Sequence, residues 1–401
     1  MTKKLAIVDP YFSGAPLRYV AESLGYEVIA IQSNAKAIMP PPKDPFRFVY
    51  DDQIDTLRKW QPAALFAGTE NGVLLADELS EKLNLLSNGT KLSLARRDKA
   101  AMKEVFCEKQ IPCAKFTRFQ EVEELREWMK NERLSFPIVV KPQMAFGSIN
   151  VSICRSAREL VVACKLLKNQ DLTPFGIENS GYLAEEFIPG EEYAIDLIGN
   201  GQRHFITDIW LYERREFSRG RNAYVSANLV DPKEESELVE KLAEISVRAV
   251  QALGIRYGCA QVEVKVNSSH ISVLEVGARI AGAGLVHHAA KVTGQDVERA
   301  HIEAFLGIDF IFKPIYQLNA YTIVVFLTNQ STGAIREICG LKDIQQLPSF
   351  QEFFLKVQLG DFVSPTVDLV GSPGTVLLRS SSKKQIEQDA RLCHELFRLK
   401  T

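Results

Sequence analysis

Gln261-Val-Glu-Val-Lys-Val266, the turn-like Asn267-Ser-Ser269 and Ile271-Ser-Val-Leu-Glu275-Val-Gly-Ala-Arg279 decide how this chain is read. The two outer segments alternate apolar and polar residues, so the stretch reads as a β-hairpin. If it closes, Glu263 and Glu275 lie near one another on adjacent strands, an unfavourable arrangement for two ionised carboxylates unless a cation neutralises them. Magnesium, or manganese in its place, suits such a pair: it takes hard oxygen ligands from one or two carboxylates and completes its shell with water and nucleotide phosphates. The alternative is an amphipathic hairpin with both glutamates in solvent. Arg279 and the glycine-rich Ala281-Gly-Ala-Gly284 weigh against it, because a metal pair, a fixed cation and a loop allowing close backbone approach are what phosphoryl charge requires. The hairpin therefore points to an enzyme that uses ATP.

Upstream of the hairpin, Val230-Asp-Pro-Lys-Glu234 supplies an N-cap acid, a proline at the first helical position and a glutamate three residues after the cap. A helix is expected to begin there. Leu238, Leu242, Ile245, Ala249 and Leu253 recur at helical spacing until Gly254, which predicts a helix packed under the hairpin. Further upstream, Phe136-Pro-Ile-Val-Val-Lys141-Pro142 is an apolar strand ending in a lysine, followed by the flexible turn Gln143-Met-Ala-Phe-Gly-Ser148 and a strand from Val151. A lysine at a strand end beside a small-residue loop suits phosphate binding, and so does many a surface lysine suit nothing in particular. Between the two, Tyr182-Leu-Ala-Glu185-Glu186-Phe187-Ile188-Pro-Gly190-Glu-Glu192 reads as strand, tight turn and strand. It is either a hairpin with a charged turn or a nucleotide hinge, in which backbone at Glu186, Phe187 and Ile188 meets adenine and Glu192 accepts from ribose hydroxyls.

Taken in this order, the blocks resemble the ATP-grasp carboxylate-amine ligases. The hairpin is similar to their C-terminal metal-binding signature, a glutamate followed about a dozen residues later by Glu-x-Asn-x-Arg, with Gly277 standing where most members have asparagine. The segment around Lys141, Gly147 and Ser148 resembles the family's lysine and phosphate-covering loop, with Asn150 where a glycine is frequent, and Lys99 matches an additional, earlier lysine. Glu185 and Glu192 match the spacing of the family's hinge acid and ribose glutamate. The resemblance implies the following set: Lys99, Lys141, Gly147, Ser148, Glu185, Glu186, Phe187, Ile188 and Glu192 on ATP, Glu263 and Glu275 on the metal, and Arg279 as the catalytic stabiliser of an acyl phosphate. It also implies a mixed α/β and α+β ATP-grasp fold: an N-terminal open parallel α/β sheet domain over 1–95, a core over 96–310 with a nucleotide lid at about 135–190, and a C-terminal α+β cap over 311–401. Asp9-Pro-Tyr-Phe-Ser-Gly14, and Glu275 to Arg279 with a trailing histidine, look most like the L-amino acid ligases, which make dipeptides. The alternatives are a nucleotide-biosynthesis carboxylase or ligase sharing the same nucleotide site, and a catalytically silent nucleotide-binding protein.

The rest of the chain bounds this reading. With 401 residues, 46% hydrophobic content and a net charge of −2, the chain is long enough for two or three domains and carries no basic field to draw it to nucleic acid or anionic lipid. Its expected partners are small carboxylate and amine substrates of amino acid type, with a homodimer allowed. Seven scattered cysteines without a C-x-x-C pair read as reduced core thiols, and the N-terminus lacks a signal peptide's apolar region, so a cytoplasmic protein is expected. Lys4 to Asp9, Ala15 to Leu24 and Tyr26 to Ile31 begin a βαβ pattern that a helix, a strand and a helix between Asp52 and Leu83 continue. Neither a dinucleotide fingerprint nor a Walker A sequence is present. His287-His288 cannot both face one metal, since adjacent helical residues point about 100° apart; a capping or substrate contact is expected instead. Arg214, Arg215, Arg219 and Arg221 form a basic run, of which one is a candidate for a substrate carboxylate.

Overall fold

The computed structural model describes residues 3–33, 48–49, 54–145, 147–168, 181–218, 221–268, 270–369 and 371–401. The N-terminal βαβ pattern forms a parallel sheet in the order Phe48–Val49, Glu27–Ile31, Lys4–Val8, Ala64–Ala67. The last two strands are buried along nearly their whole length, as strands covered on both faces must be. Strand order reverses beside Lys4–Val8, so the carboxyl ends of Lys4–Val8 and Ala64–Ala67 open on a crevice of the kind that binds ligands in open α/β sheets. Gly14 and Gly68 let the two turns meet there: a Cβ on Gly14 would stand 2.5 Å from Gly68 Cα.

A larger antiparallel sheet forms the body of the molecule. Its eight strands run in the order His270–Gly277, Tyr257–Asn267, Glu191–Asn200, His204–Ser218, Arg221–Leu229, Tyr321–Phe326, Gly374–Ser380, Phe350–Leu355. The helix Ser236–Ala252 packs beneath the hairpin and buries Val239, Leu242, Ile245 and Ala249 in the main core. Each such aliphatic side chain contributes roughly 1.5–3 kcal/mol through removal from water. A third, four-stranded sheet, Phe116–Phe119, Tyr182–Glu186, Ile138–Pro142 and Ser152–Cys154, packs against the helices Val122–Asn131 and Ala157–Lys168.

Two expectations need correction. The helix expected from Asp231 begins at Ser236, because Asp231 Oδ1 accepts the Lys233 amide at 2.9 Å and closes a turn instead of capping a helix. The strands Tyr321–Phe326, Gly374–Ser380 and Phe350–Leu355, which the sequence suggests as strands of the C-terminal cap, join the edge of the central sheet. The C-terminal helix, expected from the sequence over Lys384 to Leu399, runs over Lys383–Leu396, and Arg398–Lys400 instead pairs with Glu337–Cys339. The seven cysteines are all free thiols, and no helix among the described residues is long and apolar enough to cross a membrane.

Candidate active site

The hairpin register sets Glu263 directly opposite Glu275, and an irregularity between Glu263 and Val264 re-aims the strand at that point. Both carboxylates line a cleft of about 310 Å³. Burial, the largest influence, pushes the Glu275 carboxyl up, but Lys99 and Lys141 together hold it below its ordinary value; Lys99 Nζ lies 3.1 Å away. Glu263 has no hydrogen bond or ion pair to any described residue, and burial together with the facing Glu275 pushes it up to about 8. One member of the pair is thus balanced and the other is not. A hard divalent cation fits this donor set, since it would supply the charge Glu263 lacks. No cluster of three or more acidic, histidine or cysteine side chains exists among the described residues, so such an ion would take two protein ligands and complete its shell from water and phosphate.

Three lysines stand behind the pair. Asp98 caps the helix Lys99–Glu108 by accepting the Ala100 and Ala101 amides, which fixes Lys99 in the first turn and Lys103 one turn later on the same face. Lys141 Nζ lies 2.8 Å, and Lys103 Nζ 3.4 Å, from the same oxygen of Glu185. Burial pushes Glu185 up, but Lys103 and Lys141 hold it below the usual carboxylate range, so Glu185 is the counterion that positions Lys141. Sequence reasoning missed Lys103. Its signal was a lysine spaced i+4 from Lys99 on a face otherwise made of Ala100, Met102 and Phe106, where an unpaired charge would be costly.

Gly147 and Ser148 also line the cleft, both in the left-handed region with φ of 63° and 61°. Asn150 follows at φ 59°, a conformation asparagine tolerates well, so the residue standing in place of a glycine keeps glycine's backbone. Phe146 lies outside the described residues.

Phe187 and Ile188, with Val139, Ile153 and Leu274, give the cleft an apolar slot. The strands Tyr182–Glu186 and Glu191–Asn200 belong to different sheets, so the segment between them is a crossing and not a hairpin turn. Glu186 gives its amide to the Lys115 carbonyl, whereas the backbone groups of Phe187 and Ile188 have no partner among the described residues. Glu192 faces the same cleft but is already engaged, by Arg214 Nη2 at 2.9 Å, Tyr224 Oη at 2.6 Å and Lys265 Nζ at 3.0 Å. Burial opposes ionisation, yet Arg214 and Lys265, helped by the Tyr224 hydroxyl, lower it to about 2. Of the basic run, Arg214 is the member that lines the cleft, with its guanidinium 3.8 Å over the Tyr224 ring. Arg215 is exposed, Arg219 lies outside the described residues, and Arg221 is described by its backbone alone.

Arg279 sits beyond the metal-side strand and does not line the cleft. Its Nε lies 3.0 Å from Glu70 Oε2, and its Nη1 donates to Gln261 Oε1 at 3.2 Å. Glu70 reaches in from the turn after Ala64–Ala67 and places its other oxygen 3.2 Å from Arg97 Nη1. A Cβ at position 277 would stand 2.9 Å from Glu70 Oε2 and 3.1 Å from Arg279 Cζ. Glycine at 277 therefore leaves room for an ion pair where asparagine would project. Sequence reasoning missed Glu70, Arg97 and Gln261; the faint signal for Glu70 was an acid in Gly68-Thr-Glu-Asn-Gly72, just past the carboxyl end of a parallel strand. His288 turns toward Glu352, 3.6 Å away on the strand Phe350–Leu355, and burial lowers it to about 4. It makes no contact with the cleft lining, and His287 lies 3.9 Å from Glu298.

Residues 134–287 match the ATP-grasp domain family, a span that contains the lysine strand, the crossing, the hairpin and Arg279. Over 401 residues the chain is 26% identical to dapdiamide A synthase of Enterobacter agglomerans, covering 93% of this chain and 91% of that one. Among solved structures it resembles the L-amino acid ligase from Bacillus licheniformis, with a TM-score of 0.79 and 21% identity over 100% of this chain and 98% of that one. It also resembles a carboxyaminoimidazole ribonucleotide synthase from Aspergillus clavatus, with a TM-score of 0.74 and 15% identity over 98% and 97% of the two chains.

Proposed function

We propose, from the premise that this chain belongs to the ATP-grasp superfamily, that it is an ADP-forming ligase joining a carboxylate to an amine, both of amino acid type. The observation that carries the reading is the meeting of Glu263 and Glu275 with Lys99 and Lys141 in one cleft that also holds an apolar slot. The extended likeness to an L-amino acid ligase and to dapdiamide A synthase supports the acid-plus-amine class.

On this reading Phe187 and Ile188 offer free backbone groups to the adenine edge while Val139, Ile153 and Leu274 exclude water from its faces. Lys99 and Lys141 bind and orient the phosphate oxygens. Glu263 and Glu275 would hold magnesium, which when bound screens charge on the transferring phosphoryl group. A substrate carboxylate oxygen attacks the γ-phosphorus and ADP departs, leaving an acyl phosphate. An amine then attacks the acyl carbon, the nitrogen loses a proton and inorganic phosphate leaves, forming the amide. Arg279 stabilises the acyl phosphate and the tetrahedral oxyanion, a task suited to a rigid, permanently charged fork.

A second reading, a carboxylase or ligase of the nucleotide-biosynthesis type, draws support from the likeness to the Aspergillus enzyme and differs only in what accepts the activated carboxylate. Phosphate and ADP release measured over a matrix of amino acid pairs, with mass spectrometry of the products, tests the first reading against the second. A dipeptide or other amide formed with one ADP per bond is expected. AMP and pyrophosphate as products would overturn the acyl phosphate route, and turnover confined to ribonucleotide substrates would favour the second reading.

A further inference from the structure

Arg279 offers only donors, so the side-chain oxygen of Gln261 must face it, and the Gln261 amide nitrogen is thereby turned the other way. That nitrogen points at Asp196 Oδ2, 3.4 Å away. Strand register explains the alignment: Gln261 lies opposite Asp196 on one side of Glu191–Asn200, and Asp208 lies opposite Asp196 on the other, next to an irregularity that re-aims it. Gln261, Asp196 and Asp208 are 5%, 3% and 0% exposed. Asp208 Oδ1 accepts from Trp210 Nε1 at 2.6 Å, while its Oδ2 has no donor among the described residues. The register thus sets two buried carboxyl groups opposite one another on the same face of adjacent strands. Two ionised carboxylates so placed, with no cation paired to either among the described residues, repel strongly, so the arrangement requires a proton on one of them.

We infer that Asp196 and Asp208 form a proton-sharing carboxyl pair which, through Gln261, fixes the position of Arg279, making all three positioning residues for the reaction proposed above. Neither aspartate has an ion-pair partner among the described residues; the groups facing them are Arg279, the Cys259 thiol, and the Tyr212 and Tyr316 phenols. Burial and the Asp208 neighbour raise the Asp196 carboxyl well above the usual range, in keeping with a retained proton. The arrangement has a physical rationale. An acid placed directly on Nη1 would form a second strong ion pair and draw Arg279 away from its substrate, whereas an amide oriented by a carboxyl pair that carries one negative charge instead of two holds the guanidinium with a weaker bond. Glu70 is its ion-pair partner among the described residues, on Nε.

This inference rests on Arg279 acting in the ligase reaction, and its test separates the two. Asp196→Leu removes the acceptor for Gln261, Gln261→Met removes the relay, and Asp196→Asn returns both an acceptor for Gln261 and a donor for Asp208. On the full chain, D196L and Q261M are each expected to lower kcat about tenfold or more with the KM for ATP and the affinity for ADP within threefold. The double variant should cost no more than either alone, and D196N should recover kcat to within threefold of the parent. Near-normal kcat in D196L would overturn the inference. So would D196L and D196N losing kcat and melting temperature in step, the signature of a merely structural pair. If the parent protein makes no amide at all, crystal structures of D196L and D196N decide the positioning claim by themselves: Arg279 displaced from residue 261 in D196L alone upholds it, and Arg279 unmoved in D196L refutes it.

Discussion

Glu192 and Glu263 stand on neighbouring strands of one sheet and face one cleft, yet they titrate on opposite sides of the ordinary glutamate value. Glu192 has Arg214, Lys265 and Tyr224 around it and is lowered to about 2; Glu263 has a second carboxylate across from it and no ion-pair partner among the described residues, and with Arg214 and Arg279 offsetting only part of burial and repulsion it is raised to about 8. Burial opposes ionisation at both, so the difference comes from which charges the chain itself supplies. Glu192 is finished by the fold. Glu263 is left for something outside the chain to finish, and that distinction separates a structural carboxylate from a ligand-binding one more sharply than either residue's place in a motif.

The largest effect expected from this contrast is on turnover. Glu275→Gln preserves shape and removes the charge that a cation would share with Glu263, so ligase turnover should fall by about 10²–10³ at fixed magnesium while the fold persists. Steady-state assays and a circular dichroism spectrum check both parts, and unchanged turnover would show that the two glutamates hold no cation that the reaction needs.

The next effect is smaller. Arg279→Ala should lower kcat by about 10² with ATP affinity within a few fold if, as proposed, the guanidinium acts on charge that develops during reaction. Arg279→Lys should be a poor substitute, since the planar fork held between Glu70 and Gln261 is lost. Lysine restoring both turnover and melting temperature would show that Arg279 only pairs with Glu70.

These residues also show what a sequence can and cannot disclose. The Glu263–Glu275 register, the strand carrying Lys141 and the order of the blocks were legible because each is local: a period of two, a turn and a spacing within one segment. Glu70, Arg97 and Lys103 were not, because their partners arrive from strands or helices far away in the chain, and the Asp196–Asp208 pair was not, because the irregularity between Ile206 and Asp208 shifts the register that simple alternation would give. The Asp231-Pro232 helix start failed for a different reason. A capping acid and an Asx turn use the same side-chain oxygen, and here the turn takes it. Likewise the strand at Tyr321 was visible as a strand, but alternation carries no information on which sheet it joins.

A third prediction sets the two glutamates against each other as stability determinants. Glu192→Gln removes the charge that balances half-buried Arg214 and Lys265, and should cost about 2 kcal/mol, the scale of a hydrogen bond to a charged group. Glu263→Gln has no partner to strand and should raise the melting temperature of the metal-free protein at pH 8. Chemical denaturation of both variants in EDTA checks the signs; two losses of equal size would erase the distinction between a completed and an uncompleted carboxylate.

The smallest effect, and the most specific, is in the pH dependence of the metal-free protein. Glu263 has its pKa raised from 4.5 to about 8 in the folded state, so between those values the folded chain keeps a proton that the unfolded chain has lost. Stability must then fall as pH rises through that window, because the folded state binds more protons. Up to about pH 7.5 the trend is masked by the opposite one: burial lowers His204, His288 and His394 (the last two to about 4) and His301 to about 3 from 6.5, so their folded forms bind fewer protons and stability rises with pH as they discharge in the unfolded chain. The clean interval is therefore about pH 7.5 to 8, where the four histidines are almost wholly neutral in either state. There the melting temperature of the metal-free protein should decline by about a degree, on the order of a few tenths of a kcal/mol of lost stability. Glu263→Gln should abolish that decline while Glu192→Gln should only weaken it, since Glu192 does not itself titrate in the interval but its anion is one of the charges that raise Glu263. Saturating magnesium should flatten it too, because an ion ligated by the carboxylate anion pulls the folded-state pKa back down. A decline that survives both Glu263→Gln and magnesium would assign the retained proton to another group, with the buried Asp196–Asp208 pair as the first to test, and would remove Glu263 from the metal site.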